Sequence, residues 1–168
     1  MQVTGIRTAV WNALLTADLN VRYWFEIRNS YNRRDQATKI FLAVTSSSAV
    51  ATWGIWADIG WLWRSLSAAS AVLAVALPIL NWTKKLADMA DLHGAWVQIR
   101  NQYDALWRRM EDNQLTDSEI ETAFESIQTK EVHAEKDEVR ISARRNAKLI
   151  ERCYREVLRG RNLPLPAT

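Results

Sequence analysis

Residues 37–57 read ATKIFLAVTSSSAVATWGIWA, and residues 61–82 read WLWRSLSAASAVLAVALPILNW. Each is close to the roughly 20 residues that a helix needs to cross about 30 Å of hydrocarbon. Charges are nearly absent inside and crowd the outer flanks. Asp58-Ile59-Gly60 between them makes a plausible tight turn, because Gly permits backbone angles that other residues avoid. The pattern predicts a transmembrane hairpin with spans at 37–57 and 61–82. The competing reading is a buried helical hairpin in a soluble protein. A mean hydropathy of −0.24 favours the latter only superficially, because a long charged tail dilutes two apolar segments. Trp53, Trp56, Trp61 and Trp63 cluster around the turn and Trp82 lies at the far end. Indole rings at those places suit the headgroup level on each side of a bilayer.

Orientation follows from the cations. Arg33, Arg34 and Lys39 precede or open the first stretch, and Lys84 and Lys85 follow the second. Positive residues stay cytoplasmic. Both termini are therefore expected in the cytosol and the turn outside. The first apolar run begins too late for a cleavable signal peptide.

With 168 residues, the chain has room for one modest unit. Three prolines and five glycines are too few for a turn-rich β protein. Cys153 is the only cysteine, so no intrachain disulfide forms, and it reads as a small buried apolar residue. The net charge of +3 hides a division into blocks. Between Glu111 and Glu138 ten acids face Lys130 and Lys136, and between Arg140 and Arg161 eight bases face Glu151 and Glu156. Opposite blocks in succession suggest pairing within the chain or between subunits.

The remaining segments read as helices. Val3, Ile6, Val10, Leu14, Ala17 and Val21 recur at helical spacing, with a break expected near Asp18 to Asn20. Tyr23, Trp24, Phe25, Ile27 and Tyr31 follow as an aromatic helix. These either pack on other helices or lie on the inner leaflet. After the second stretch, Trp82, Leu86, Met89, His93, Trp96, Arg100, Tyr103, Trp107 and Met110 alternate spacings of four and three, a heptad seam suited to oligomerisation. Leu92, Ile99 and Leu106 widen that face. Thr116-Asp117-Ser118-Glu119 is a capping-box pattern, and Ile120, Phe124 and Ile127 form the apolar face behind it. A last helix is expected from about Asp137, with Val139, Ala143, Asn146, Ile150, Cys153 and Val157 as its seam and Gly160 and Pro164 at its end. The predicted fold is an all-α membrane protein. Residues 1–36 supply N-terminal amphipathic and aromatic helices, 37–83 the two-helix transmembrane hairpin, 84–112 a stalk helix, and 113–168 a cytosolic helical pair, acidic then basic.

Catalytic patterns are missing. The chain has no phosphate-cradling glycine loop, no zinc-protease motif and no cysteine pair for a metal. His133 with Glu135 and Asp137 reads as a solvated face. No enzyme activity, cofactor or metal is expected. Within the spans, Thr45, Ser48 and Thr52 share one face, and Ser67, Ser70 or Ala71, and Ala74 make a small-residue face. Close helix packing explains these residues. So does a weakly polar pore lining, with Arg64 near the outer mouth. A single hairpin cannot enclose water, so a pore requires a homo-oligomer, a tetramer or larger. Arg140, Arg144, Arg145 and Lys148 either pair with the acidic block, lie on anionic lipid, or contact a polyanion such as a nucleotide or oligonucleotide.

The order of features resembles the SLATT family of prokaryotic two-transmembrane effectors. The resemblance is carried by NVRYWFEIRNSYNRRDQATKIFLAV, Asn20 to Val44, and KKLADMADLHGAWVQIRNQYDALW, Lys84 to Trp107. It continues through the short turn and the second apolar stretch between them, so that it covers roughly half of the chain, and it does not extend past Asn113. It implies a pore-forming, ion-channel-like effector of an anti-phage defence system that sits in the prokaryotic inner membrane and depolarises it. It also implies regulation by a nucleotide signal that a neighbouring nucleotidyltransferase makes. The residue pattern leaves two further functions open: a non-conducting membrane anchor or scaffold recruiting a cytosolic partner, and a holin-like lysis protein.

Overall fold

The computed structural model of the chain describes residues 3–45, 61, 65, 68–72, 82–141 and 145–164. Among them the fold is all α, with no strand. Four long helices follow in order: α1 (Val3–Thr45), α2 (Trp82–Glu111), α3 (Asp117–Ile141) and α4 (Ala147–Gly160). Contacts divide the chain into a first unit, Met1–Ile27 with Asp88–Thr168, and a second unit, Arg28–Ala87. Among the described residues no helix is long and apolar enough to cross a membrane. Most of the stretches 37–57 and 61–82 lies outside the described residues, which include only 37–45, 61, 65, 68–72 and 82 of them.

The first unit is an antiparallel helical bundle, and its register can be read from pairs. Arg7 reaches Met110, Trp11 stacks near Trp107, Asp18 faces Arg100, and Phe25 lies by His93. As numbers climb along α1 they fall along α2. α3 turns back on α2, where Tyr103 meets both Phe124 and Glu131. α4 turns back on α1, from Asn146 at Tyr23 to Arg161 at Asp18.

The core follows from apolar spacing. On α1, Val10, Leu14 and Ala17 are sealed, and so are Tyr23 and Trp24. The middle of the amphipathic stripe, Val10 to Ala17, is therefore buried in the bundle, with Ile6 and Val21 half-buried on either side. The expected break at Asp18 to Asn20 does not occur; α1 runs unbroken for 43 residues. Asp18 and Asn20 are accommodated inside the bundle, Asp18 because cations from other helices face it.

On α2 the buried residues are Met89, Leu92, Trp96, Ile99, Tyr103, Leu106 and Met110. This face contains four members of the expected seam but is rotated away from the others. His93, Arg100 and Trp107 are half-buried at its edge, replaced at the centre by Leu92, Ile99 and Leu106. The hydrophobic effect selects the greasier of two overlapping stripes, because burying Leu or Ile gains about 2 kcal/mol each and burying Arg gains nothing without a partner. The face closes on helices of the same chain. Trp82 and Leu86 belong to the second unit and are half-buried.

Three helix ends show how local sequence sets boundaries. α2 and α4 both finish with an Asn in the left-handed region, Asn113 at φ 52° and Asn162 at φ 54°. After α4 the Leu163 N–H donates to Leu158 O at 2.9 Å and the Asn162 N–H to Arg159 O at 3.2 Å. After α2 the Gln114 N–H donates to Arg109 O at 3.0 Å and the Asn113 N–H to Met110 O at 3.2 Å. Both are Schellman ends, with Asn where Gly is commonest because its short side chain tolerates that conformation. α4 thus ends at Gly160, as its sequence signal suggests, with Arg161 as the C-cap and Asn162 beyond it. At the start of α3 the capping box forms through the carboxylate: Glu119 accepts from the Thr116 N–H at 2.8 Å and from the Thr116 hydroxyl at 2.7 Å. These hydrogen bonds hold the Glu119 carboxyl below its ordinary value.

The last helix begins later than its spacing suggests. α3 continues to Ile141, and α4 starts only at Ala147. Val139, a proposed seam position, is 74% exposed on α3. Asn146 is not a seam residue but the N-cap, accepting from the Leu149 N–H at 3.2 Å. A capping Asn satisfies a backbone donor that the first turn of a helix leaves unpaired. Cys153 and Val157 are buried as expected, with Leu158 beside them.

Candidate functional site

Of the pore-lining candidates, Thr45 is described, while Ser48, Thr52 and Arg64 lie outside the described residues. Thr45 ends α1 in the second unit. Its hydroxyl donates to Phe41 O at 2.9 Å, one turn back, and accepts from the Ser70 hydroxyl at 2.8 Å. Residues 68–72 are helical, so this is a hydroxyl-to-hydroxyl contact between the first apolar stretch and the second. Back-bonding of this kind satisfies a Thr within its own helix. The basic flanks of the same unit, Arg33, Arg34, Lys39, Lys84 and Lys85, are all exposed. Lys39 is tied at 2.6 Å to Asp35, whose side chain is buried one turn earlier.

The first unit carries a charge network that the linear pattern did not reveal. The Asp18 carboxylate on α1 faces Arg22 at 3.9 Å, Arg100 of α2 at 4.0 Å and Arg161 at 3.4 Å. Arg161 also reaches Asp104 of α2 at 3.3 Å, and Asp104 pairs with Arg108 one turn on. The Arg161 guanidinium lies 6.0 Å from the centre of the Trp11 ring, and Trp11 lies 4.8 Å from Trp107. Arg161 is the C-cap of α4, and its backbone N–H closes that helix on Val157 O. One residue thus ends α4 and fastens it to α1 and α2. The only cue in the sequence was an Asp among apolar repeat positions, and its partners are far away along the chain.

A second polar contact joins α2 and α3. Tyr103 donates to Glu131 at 2.8 Å in a half-buried setting. Burial pushes the Glu131 carboxyl above its ordinary value, opposed by the Tyr103 hydrogen bond and aided by nearby Glu135. Burial and Glu131 together push the Tyr103 phenol well above its ordinary value. A third contact joins α1 to α4: the Asn146 N–H donates to the Tyr23 hydroxyl at 3.1 Å.

The candidate polyanion residues divide. Arg145 forms a two-pronged pair with Glu138, a carboxylate only 8% exposed, and lies 5.5 Å from the centre of the Tyr23 ring. Arg140 pairs with Asp137 at 3.4 Å on the surface. Arg144 lies outside the described residues, and Lys148 is exposed on α4. Self-pairing of the acidic and basic blocks is therefore present at their junction. The far end of the basic block turns to α1 and α2 through Arg161.

The chemistry of these groups is that of fastening helices. Burial pushes the Cys153 thiol up, which suppresses the reactive thiolate. His133, Glu135 and Asp137 are exposed, and among the described residues no group of three or more His, Cys, Asp or Glu is placed to hold a metal ion. Shallow grooves run along α2 and α3, the larger about 450 Å³ and lined by Arg109, Leu115, Ser118, Glu119, Thr122, Ala123 and Ser126. No family model, no curated protein and no solved structure matches this chain.

Proposed function

We propose that this chain is a homo-oligomeric membrane effector of the SLATT type, with a two-span hairpin at 37–57 and 61–82 and its termini in the prokaryotic cytosol. It conducts ions when triggered, depolarising the membrane in defence against phage under the control of a nucleotide signal. The observation that carries the reading is the pair of apolar stretches bordered by tryptophan and by Lys and Arg on their outer sides. Exposure of Arg33, Arg34, Lys39, Lys84 and Lys85 supports it, since flanking cations must reach headgroups or water. The helical bundle serves as the cytosolic part that senses or assembles. The test is ion flux through the purified full chain in liposomes. Flux that falls when Ser48 is changed to Leu supports a water-facing Ser48. Silence under every ligand and pH tried, or recovery of the chain in the supernatant of a detergent-free lysate, removes the reading.

A second reading is favoured by the Thr45–Ser70 contact. There the hydroxyls of the two stretches bond one another, as they do where helices simply pack. On that reading the hairpin is a non-conducting anchor and the bundle recruits a partner. Thr45, Ser48 and Thr52 then tolerate Leu as well as Ala.

A further inference from the structure

The outer faces of α3 and α4 carry opposite charge at one spacing. On α3, Glu121, Glu125, Gln128, Val132, Glu135 and Val139 follow one another at alternating intervals of four and three, and all are exposed. On α4, Lys148, Arg152, Arg155 and Arg159 follow the same alternation, exposed apart from the half-exposed Arg155, which pairs with Glu151. Alternation of four and three lays residues along one straight stripe of a helix, as in coiled coils. The first stripe has three acids and no base, and the second has four bases and no acid.

We propose that these stripes meet between two copies of this chain, the acidic α3 of one against the basic α4 of its neighbour. The inference deepens the homo-oligomer reading above and rests on it. Charge complementarity identifies the occupant. A lipid surface or another polyanion would account for the basic stripe, but would repel the acidic one and leave Val132 and Val139 in water. A second copy accounts for both stripes, and the two valines supply apolar contact within a polar interface. Because each copy offers one stripe of each sign, copies can join head-to-tail, each binding two neighbours. Such contacts form rings when the rotation closes, the arrangement that gathers several hairpins about one axis.

The experiment is the oligomeric mass of the full chain in mild detergent at low salt, by light scattering. E121K/E125K makes the α3 stripe net basic, two bases against Glu135, and K148E/R152E/R159E makes the α4 stripe net acidic, three acids against Arg155. Each alone should lose self-association at least tenfold, and an equimolar mixture should restore it, since every contact is then complementary. High salt should weaken the wild-type assembly. Matching helical circular dichroism shows that each variant folds; if one does not, E121Q/E125Q and K148Q/R152Q carry the test and should each show a smaller loss. Several results overturn the proposal: a monomeric wild type, assembly unchanged in both variants, or loss that mixing does not repair. Another is loss of binding to anionic vesicles by K148E/R152E/R159E with assembly intact, which would assign that stripe to lipid. A chain that assembles as expected but passes no ions removes only the pore reading. Ion flux with unchanged assembly of E121K/E125K removes only this one.

Discussion

Arg161 lies 3.4 Å from Asp18, although 143 residues separate them in sequence. The pair joins the end of the last helix to the middle of the first. Asp104 holds the other side of the same guanidinium at 3.3 Å, so three helices meet at one cation. A carboxylate as buried as Asp18 needs partners, and removing one leaves part of its desolvation uncompensated.

Asp18→Asn and Arg161→Ala should each destabilise the bundle by about 1–3 kcal/mol, a range reduced for the partial exposure of Arg22 and Arg100. Arg108→Ala, on a largely exposed side chain, should cost about 0.5 kcal/mol or less. Urea unfolding of the two single variants and the double variant measures the coupling. Strict additivity of D18N and R161A would show that the two side chains do not interact.

Glu131 gives a pH signature. Its carboxyl is held above its ordinary value in the folded chain, mainly by burial. A raised native value means that the folded state binds the proton more tightly than the unfolded state does. The contribution is fully present below the ordinary value of 4.5 and is lost as pH rises through the raised one. Glu131→Gln keeps a hydrogen-bond acceptor for Tyr103 without a titrating group. Subtracting its stability curve from that of the wild type should reveal this falling component over the weakly acidic range. A flat difference would contradict the burial argument.

Cys153 should react slowly with a thiol reagent in the native state and at the free-thiol rate in denaturant. The side chain is sealed, and its thiol is pushed up by burial. As the only cysteine it reports opening of the α1–α4 contact without a background signal. Native-state labelling as fast as labelling of the unfolded chain would show that α4 does not pack as described.

Asn113 and Asn162 hold left-handed backbone conformations. Replacement by Ala should cost about 1 kcal/mol at each, and replacement by Gly should be neutral or slightly stabilising. Thermal unfolding of the four variants checks the order. Equal effects of Ala and Gly would mean that the Schellman ends do not form.

Trp96→Asp should unfold the first unit rather than merely weaken an interface. Trp96 is fully sealed within a single chain. Loss of the helical signal distinguishes unfolding from dissociation. A folded, monomeric W96D chain would restore an intermolecular role for this face.

The sequence by itself determined the helical class, because apolar spacings of three and four, scarce glycine and scarce proline leave little else. It also placed the cap at Thr116, the apolar faces of Ile120 and Ile127, and the burial of Cys153, all set by neighbours within a turn or two. Tertiary structure alone decided which of two overlapping stripes on α2 is buried, where α4 begins, and why Asp18 does not break α1. The α2 face was settled by what packs against it, and Asn146 became a cap because Tyr23 from a distant helix receives its N–H. Asp18 lies inside an unbroken helix because its cations arrive from Arg100 and Arg161. Periodicity carries the energetics of near neighbours. Partners a hundred residues away leave no trace in it until the chain closes on itself.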